Sequence, residues 1–148
     1  MIGPFENEYA FLSNFHLSPI FFEGIEFPSV EHAFQAAKTL DRAQRKKIAA
    51  ASTAAKSKKM GRAVDLRGDW ESAKIVVMRA LLETKFQDRD LRETLLATGD
   101  EELVELNWWH DRFWGVCTGG QRCSCDHEGE NMLGKLLMAL RKKIRDED

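Results

Sequence analysis

A 148-residue chain in which 43% of residues are hydrophobic and 31% charged is large enough to bury a core as one compact domain without staples. Its formal net charge of −2 argues against a bulk nucleic-acid binder, and Glu6 and Glu8 stand where a basic leader would be, with no long apolar run behind them. We therefore expect neither a secretory signal nor a membrane span, and a cytoplasmic protein. The three cysteines, Cys117, Cys123 and Cys125, are odd in number and crowded into one segment, which suits reduced thiols or a metal better than a disulfide framework.

Residues 5–15 are rich in aromatics, and Phe11-Leu12-Ser13-Asn14-Phe15 is a short extended piece bounded by turn formers. Ile20-Phe21-Phe22 and Ile25-Glu26-Phe27 read as the arms of a tight hairpin with Glu23-Gly24 as its turn. So small a sheet must pack on helices. Pro28 discourages helix before it and Ser29 is a good N-cap, so a helix starts there and runs to about Leu40. Val30, Ala33, Phe34, Ala37 and Leu40 fall on one apolar arc, while Glu31, Gln35 and Lys38 form a polar stripe. Such a helix packs with one face and offers the other.

Asp41 caps a second helix through about Ala51, Thr53 a third that ends near Gly61, and Asp69 a long helix over residues 70–86. The long helix carries one apolar row of Trp70, Ala73, Val77, Ala80 and Leu81 and another of Ile75, Met78 and Leu82, so it is expected at the buried centre. Residues 88–97 form a further helix closed by Thr98-Gly99. Residues 103–106 alternate like a short strand, and the aromatic residues 108–116 are expected to be extended and to add strands to the hairpin. Residues 130–144 make an amphipathic helix with Leu133, Leu136, Leu137, Leu140 and Ile144 on one face. No linker, repeat or low-complexity tract marks a boundary, so the expected organisation is a single domain over residues 1–148, mainly α with a small β element.

Several side chains carry chemistry. The stripe of Glu31, Gln35 and Lys38 is either a solvated surface or the lining of a cleft in which Glu31 works as acid, base or electrostatic stabiliser. Trp70 either caps the core or stacks on a base. Asp111, embedded in Trp108-Trp109-His110-Asp111-Arg112-Phe113-Trp114-Gly115, is either a desolvated proton donor or a loop aspartate bonded to backbone or paired with Arg112. Asn131, in the first turn of the last helix, either bonds a ligand beside free helix N–H groups suited to an anion or serves as an N-cap. The cations Arg42, Arg45, Lys46, Lys47, Lys56, Lys58, Lys59, Arg62 and Arg67 face only Asp65 in their span, which makes either a phosphate-contacting surface or a solvated face.

Phe11-Leu12-Ser13-Asn14-Phe15, the run from Pro28 through Glu31 and Gln35 to Lys38, Gly61-Arg62, Asp69-Trp70, Val77-Met78, Asp111-x-x-Trp114-Gly115 and Gly129-x-Asn131-x-Leu133-Gly134 occur in an order that resembles the NADAR, or YbiA-like, family across nearly the whole chain. The resemblance implies a mainly helical fold with a small β element, no cofactor, and N-glycosidase chemistry on a bond between ribose and a nitrogenous base. The substrates it implies are phosphorylated intermediates of riboflavin biosynthesis or ADP-ribose attached to guanine in nucleic acid. By the same resemblance Glu31, Trp70 and Asp111 fall on positions tied to activity, and Asn14, Arg62 and Asn131 on positions that hold the ligand. Phe15, Gln35 and Trp114, within the same motifs, join the substrate-contacting set.

Breaking a ribose C1–N bond builds positive charge on the sugar and negative charge on the departing base, so a carboxylate near C1 and a proton donor at the base are the groups required. Glu31 takes the sugar or water, Asp111 the acid or ribose-anchoring role, and Lys38 either keeps Glu31 ionised or acts as an amine. The chain departs from the simpler family pattern at residues 117–127, where Cys117, Cys123, Cys125 and His127 have the residue types of a zinc site without its usual ligand spacing, so no metal is expected. A non-catalytic module binding ADP-ribose or NAD is the alternative, and retention of both Glu31 and Asp111 speaks against it.

Overall fold

The structure, a computed structural model, describes residues 1–119 and 126–147. It divides into two compact units, one of Asn14–Arg89 and one of Met1–Ser13 with Asp90–Asp148. Helices dominate, and the strands pair into two separate two-stranded sheets. Among the described residues no helix is long and apolar enough to cross a membrane.

The unit of Asn14–Arg89 opens with the expected hairpin, β1 (Leu17–Phe22) and β2 (Ile25–Ser29), paired antiparallel with Phe22 opposite Ile25. Both turn residues are left-handed, Glu23 at φ 47° and Gly24 at φ 84°, the geometry that matches strand twist in a two-residue loop. The register shifts between Leu17 and Ile20, around Pro19, which has no N–H to give a ladder. Four helices follow: α1 (Val30–Ala37), α2 (Arg42–Ala49), α3 (Ala54–Gly61) and α4 (Trp70–Lys85). Ser29, Asp41 and Thr53 cap the first three, each accepting a backbone N–H three residues on.

Two of the expected helix features are corrected. The first helix stops at Ala37 rather than about Leu40, because the amides of Lys38 and Thr39 bond three residues back, to Gln35 O at 3.3 Å and Ala36 O at 3.2 Å. This tightens and closes the last turn, and the carbonyls that follow find partners outside the helix. Lys38 O accepts from Arg67 N at 2.7 Å and Thr39 O from Arg45 Nε at 2.8 Å, leaving Leu40 68% exposed instead of on the apolar arc. Asp69 precedes α4 without capping it, since its carboxylate accepts from Arg67 Nε at 2.6 Å and Nη2 at 3.0 Å.

The central element of this unit is α1, not α4. All eight residues of α1 are buried, and it packs on β1, β2, α2, α3 and α4. Alanine at 33, 36 and 37 lets those neighbours approach closely. α4 buries a single stripe of Trp70, Val77, Met78, Leu81, Leu82 and Lys85, with Val76 and Ala80 exposed. The two expected rows merge because residues spaced by three, four and seven share one face.

In the other unit a 3₁₀ helix (Asn7–Leu12) precedes α5 (Arg89–Ala97, whose first residue belongs to the hairpin's unit), β3 (Leu106–Asn107), β4 (Val116–Cys117) and α6 (Met132–Glu147). α5 is closed as expected by Gly99 at φ 64°. The expectation that residues 108–116 extend the hairpin is overturned: β3 and β4 pair parallel to each other in their own sheet, and 108–115 is a loop. Asn107 folds that loop back by donating Nδ2 to Asp111 O at 2.8 Å and accepting from Asp111 N at 3.0 Å. Residues 103 and 104 are both buried rather than alternating, and Leu103 bridges to Ile2. α6 buries Leu133, Leu136, Leu137, Leu140 and Ile144 as its periodicity predicts.

Candidate active site

The polar stripe of α1 is not a solvated face. Glu31 is 7% exposed and Gln35 4%, so a carboxylate and a carboxamide lie inside the Asn14–Arg89 unit. Their spacing of four puts them one above the other on the helix, and Gln35 Nε2 donates to Glu31 Oε1 at 2.7 Å. A carboxylate only accepts, so this bond fixes which way the amide faces. The opposite end, Gln35 Oε1, is buried with no hydrogen-bond partner, a placement that costs about 1–3 kcal/mol.

The first turn carrying Glu31 is held from three sides. Glu31 N donates to Asn14 O at 3.0 Å. Ser29 Oγ accepts from His32 N at 3.1 Å and lies 2.7 Å from His32 Nδ1. His32 Nε2 lies 3.0 Å from Ala51 O, and a carbonyl can only accept, so Nε2 carries the proton and Nδ1 accepts from the serine hydroxyl. Fully buried His32 thus ties α1 to the end of α2, a role not read from the sequence although the Ser29-x-x-His32 spacing carried it.

Lys38, half-buried at the C-cap of α1, closes the stripe. Burial pushes its ammonium below the usual lysine range, Glu31 opposes that, and Lys58 and Arg62 push it further down. The structure therefore gathers Glu31, Gln35, Lys38 and Arg62 around α1 and α3, together with Lys58, which spacing did not single out from its basic run. Gly61, the last residue of α3, lies against Gln35 so closely that an added Cβ would collide with the carboxamide oxygen.

Asn14 is 8% exposed, with Nδ2 donating to Met78 Sδ at 3.6 Å and Oδ1 buried without a hydrogen-bond partner. Phe15 beside it is exposed. Trp70 is buried and packs on Phe34 with ring centroids 5.1 Å apart and planes tilted by 52°, the arrangement of a core aromatic pair.

In the second unit Asp111 and Trp114 share the 108–115 loop. Asp111 Oδ1 accepts from Phe113 N at 3.1 Å and Trp114 N at 2.9 Å, so one carboxylate oxygen shapes the loop. The Trp114 ring stands edge-on to Phe113, centroids 4.8 Å apart. Asn131 sits just before α6 at φ 52°, and both ends of its amide serve the fold, Oδ1 accepting from Glu105 N at 3.0 Å and Nδ2 donating to Leu103 O at 2.9 Å. The free helix N–H groups expected there are also engaged: Met132 N and Leu133 N donate to Phe113 O and Trp114 O, both at 3.0 Å. Cys123 and Cys125 lie outside the described residues, while Cys117 is buried in β4 and His127 is exposed, 3.0 Å from Asp126 Oδ1.

The fold is mainly helical, its α1 buries a carboxylate and an amide in line with a half-buried amine at its C-cap, and residues 2–145 match the NADAR domain model. The chain belongs to the NADAR domain family. It is 41% identical over 141 residues to N-glycosidase YbiA of Escherichia coli (strain K12), covering 93% of this chain and 83% of that protein. It is 39% identical over 144 residues to N-glycosidase Npun_R5314 of Nostoc punctiforme, covering 93% and 87%. It is 38% identical over 146 residues to the riboflavin biosynthesis protein VVA0006 of Vibrio vulnificus, covering 97% of this chain and 37% of that longer protein. The NMR structure of the E. coli protein YbiA superposes with a TM-score of 0.80 at 40% identity, covering 99% of this chain and 84% of that one.

Proposed function

We infer that the chain is an N-glycosidase that hydrolyses the bond between a ribose and a nitrogenous base, with Glu31 as its central carboxylate. The observation that carries this reading is a carboxylate 7% exposed, held by an amide N–H at 2.7 Å, in line with an amine whose protonation is disfavoured. As the C1–N bond breaks, its electron pair leaves with the base and positive charge builds on the ribose. Glu31, shielded from water, meets that charge electrostatically or takes a proton from the incoming water. Lys38, whose burial lowers the ammonium below its ordinary range while Glu31 opposes that, either holds Glu31 ionised or, once deprotonated, attacks C1 as the base leaves with the bond's electron pair, water then releasing the sugar.

The remaining roles follow the chemistry each side chain keeps. Asp111, in the other unit, keeps its second oxygen for an acid or ribose-anchoring role, since Oδ1 is taken by the loop. Asn14 Oδ1, a buried acceptor without a hydrogen-bond partner, suits a ribose hydroxyl, Gln35 serves the site by holding Glu31, and Arg62 suits a phosphate. Within the Asn14–Arg89 unit Phe15 is exposed for ligand contact and Trp70 supports Phe34 and α1, while in the other unit Trp114 is the aromatic offered for ligand contact and Asn131 shapes the 103–105 backbone. The substrates proposed are ADP-ribosylated guanine in nucleic acid and phosphorylated ribosylamine intermediates of riboflavin biosynthesis.

The test is incubation of wild type and Glu31→Gln with a guanine-ADP-ribosylated oligonucleotide and, separately, with a phosphorylated ribosylamine, followed by mass spectrometry. Cleavage by wild type alone is expected. Full activity of Glu31→Gln would remove the catalytic assignment, and binding without cleavage by wild type would favour a module that only recognises ADP-ribose.

A further inference from the structure

We propose that Gly61 is a positioning residue for Glu31, acting across the α1–α3 interface through the Gln35 carboxamide. The inference rests on the reading of Glu31 as the central carboxylate. Gln35 Nε2 must face Glu31 Oε1, 2.7 Å away, so Oε1 is driven toward α3. There it meets Gly61: a Cβ built on that residue would lie 2.0 Å from Gln35 Oε1, 2.9 Å from Cδ and 3.1 Å from Cβ. The first of these is far inside van der Waals contact, and the last involves the root of the side chain, which no rotation about its outer bonds can move.

Gly61 does not occupy a left-handed conformation, since it is absent from the positive-φ residues and ends a regular helix. Its lack of a side chain therefore serves close approach, not backbone freedom. Gln35 is 4% exposed, so a displaced carboxamide has little room to settle elsewhere and keep its bond to Glu31. A buried oxygen without a hydrogen-bond partner is unfavourable on its own. It is accounted for when the opposite end of the same amide has a required position, and the missing Cβ of Gly61 is what allows that position. The Glu31 carboxylate is thus oriented by a relay of one side chain and one absent side chain, on two helices.

The test is a double-mutant cycle of Gly61→Ala and Gln35→Ala, read as kcat and KM on whichever of the two substrates the wild type hydrolyses, with thermal melts of every variant. Gly61→Ala is expected to lower kcat by about 100-fold with KM changed less than about threefold, the scale of an ångström-sized misplacement of a reacting group. Adding Gly61→Ala to Gln35→Ala should then cost far less than Gly61→Ala does alone, because the obstructed carboxamide is gone and only the 3.1 Å approach to the residue 35 Cβ remains. If Gly61→Ala fails to fold, recovery of a cooperative melt in the double variant still places the collision at Gln35, and failure to recover overturns the proposal. Gln35→Asn, which keeps the amide but shortens its reach, should lose kcat with Gly61 intact. Multiplicative losses in the cycle, or wild-type kcat in Gly61→Ala, would sink the positioning role. Activity in Glu31→Gln would sink the catalytic reading and this proposal with it, whereas an inactive Glu31→Gln with additive Gly61 and Gln35 effects would sink the proposal alone.

Discussion

Ser29→Ala should destabilise the protein far more than an ordinary surface substitution. The hydroxyl caps α1 by accepting from His32 N at 3.1 Å, and it satisfies the buried His32 ring at 2.7 Å. Loss of an N-cap costs about 1 kcal/mol. Leaving the ring nitrogen unsatisfied in a residue with no exposed surface adds about 1–3 kcal/mol, and no water can reach it as a substitute. The sum is about 2–4 kcal/mol, which for a chain of this size lowers the melting temperature by about 10 °C. Urea denaturation gives the free-energy loss from the midpoint and slope, and circular dichroism gives the melt. Ser29→Thr, which keeps the hydroxyl and suits an extended residue at φ −155°, should recover most of the loss. A Ser29→Ala loss below about 0.5 kcal/mol would refute the reasoning, because the cap alone exceeds it.

Other substitutions separate structural from chemical roles. Trp70→Ala should cost about 3–5 kcal/mol in denaturant, as expected for a buried aromatic packed on Phe34, and a loss below about 1 kcal/mol would instead mean a ring available to stack on a base. Asp111→Asn keeps an oxygen for the Phe113 and Trp114 amides, so its melt should match wild type while turnover falls, whereas Asp111→Ala should lose both; a fully active Asp111→Asn would remove the proton-donor role. Lys38→Met should abolish turnover if the amine acts directly, and its stability should change with pH in a set direction. Because the folded protein holds Lys38 below the usual lysine range, the unfolded chain binds more protons between the folded and ordinary values, and wild-type stability rises with pH across that window. The stability of wild type relative to Lys38→Met should therefore rise as pH approaches about 10.5, and paired urea melts that show a constant difference would contradict the depressed value.

The parts legible in the sequence are those set by local rules. Glu23-Gly24 between β-forming arms, the caps at Ser29, Asp41 and Thr53, and the leucine stripe of α6 each depend on a few neighbouring residues, and each stands where expected. The departures arose where specific hydrogen bonds, some local and some distant in sequence, overrode general propensity. Helical propensity continues past Ala37, but the last turn tightens to bonds three residues back, and Arg67, distant in sequence, and Arg45 satisfy the carbonyls beyond it. Aromatic residues favour strands, yet one buried asparagine, Asn107, bends the 108–115 segment into a loop. For Asn131 the sequence leaves open a ligand contact or an N-cap, and neither alternative points to an amide that bonds the backbone at 103–105, because those partners lie 26 and 28 residues away. Periodicity grouped Glu31, Gln35 and Lys38 without revealing whether water or protein faced them, because a stripe of polar residues has the same spacing on a surface as in a cleft.

The burial of that stripe is itself informative. Filling the same volume with apolar side chains would commonly be neutral or stabilising, since a buried charge must recover its lost hydration from partners. Here Gln35 leaves one of its own atoms without a hydrogen-bond partner to serve Glu31, and Lys38 is held where its charged form is disfavoured. Hydrophobic packing of the hairpin and α4 supplies the stability that allows this, through Phe27, Phe34, Met78, Leu81 and Leu82 in the core of the same unit. The alanines of α1 bring α2, α3 and α4 close enough to exclude water without filling the space with side chains. An eight-residue helix capped by Ser29 and closed by a tightened last turn is long enough to put the carboxylate in its first turn and the amine at its C-cap, with the amide between them. Its length and its neighbours have one result, a carboxylate held in one orientation where water is scarce, which is unfavourable to stability alone and which the proposed role of Glu31 at a developing positive charge would account for.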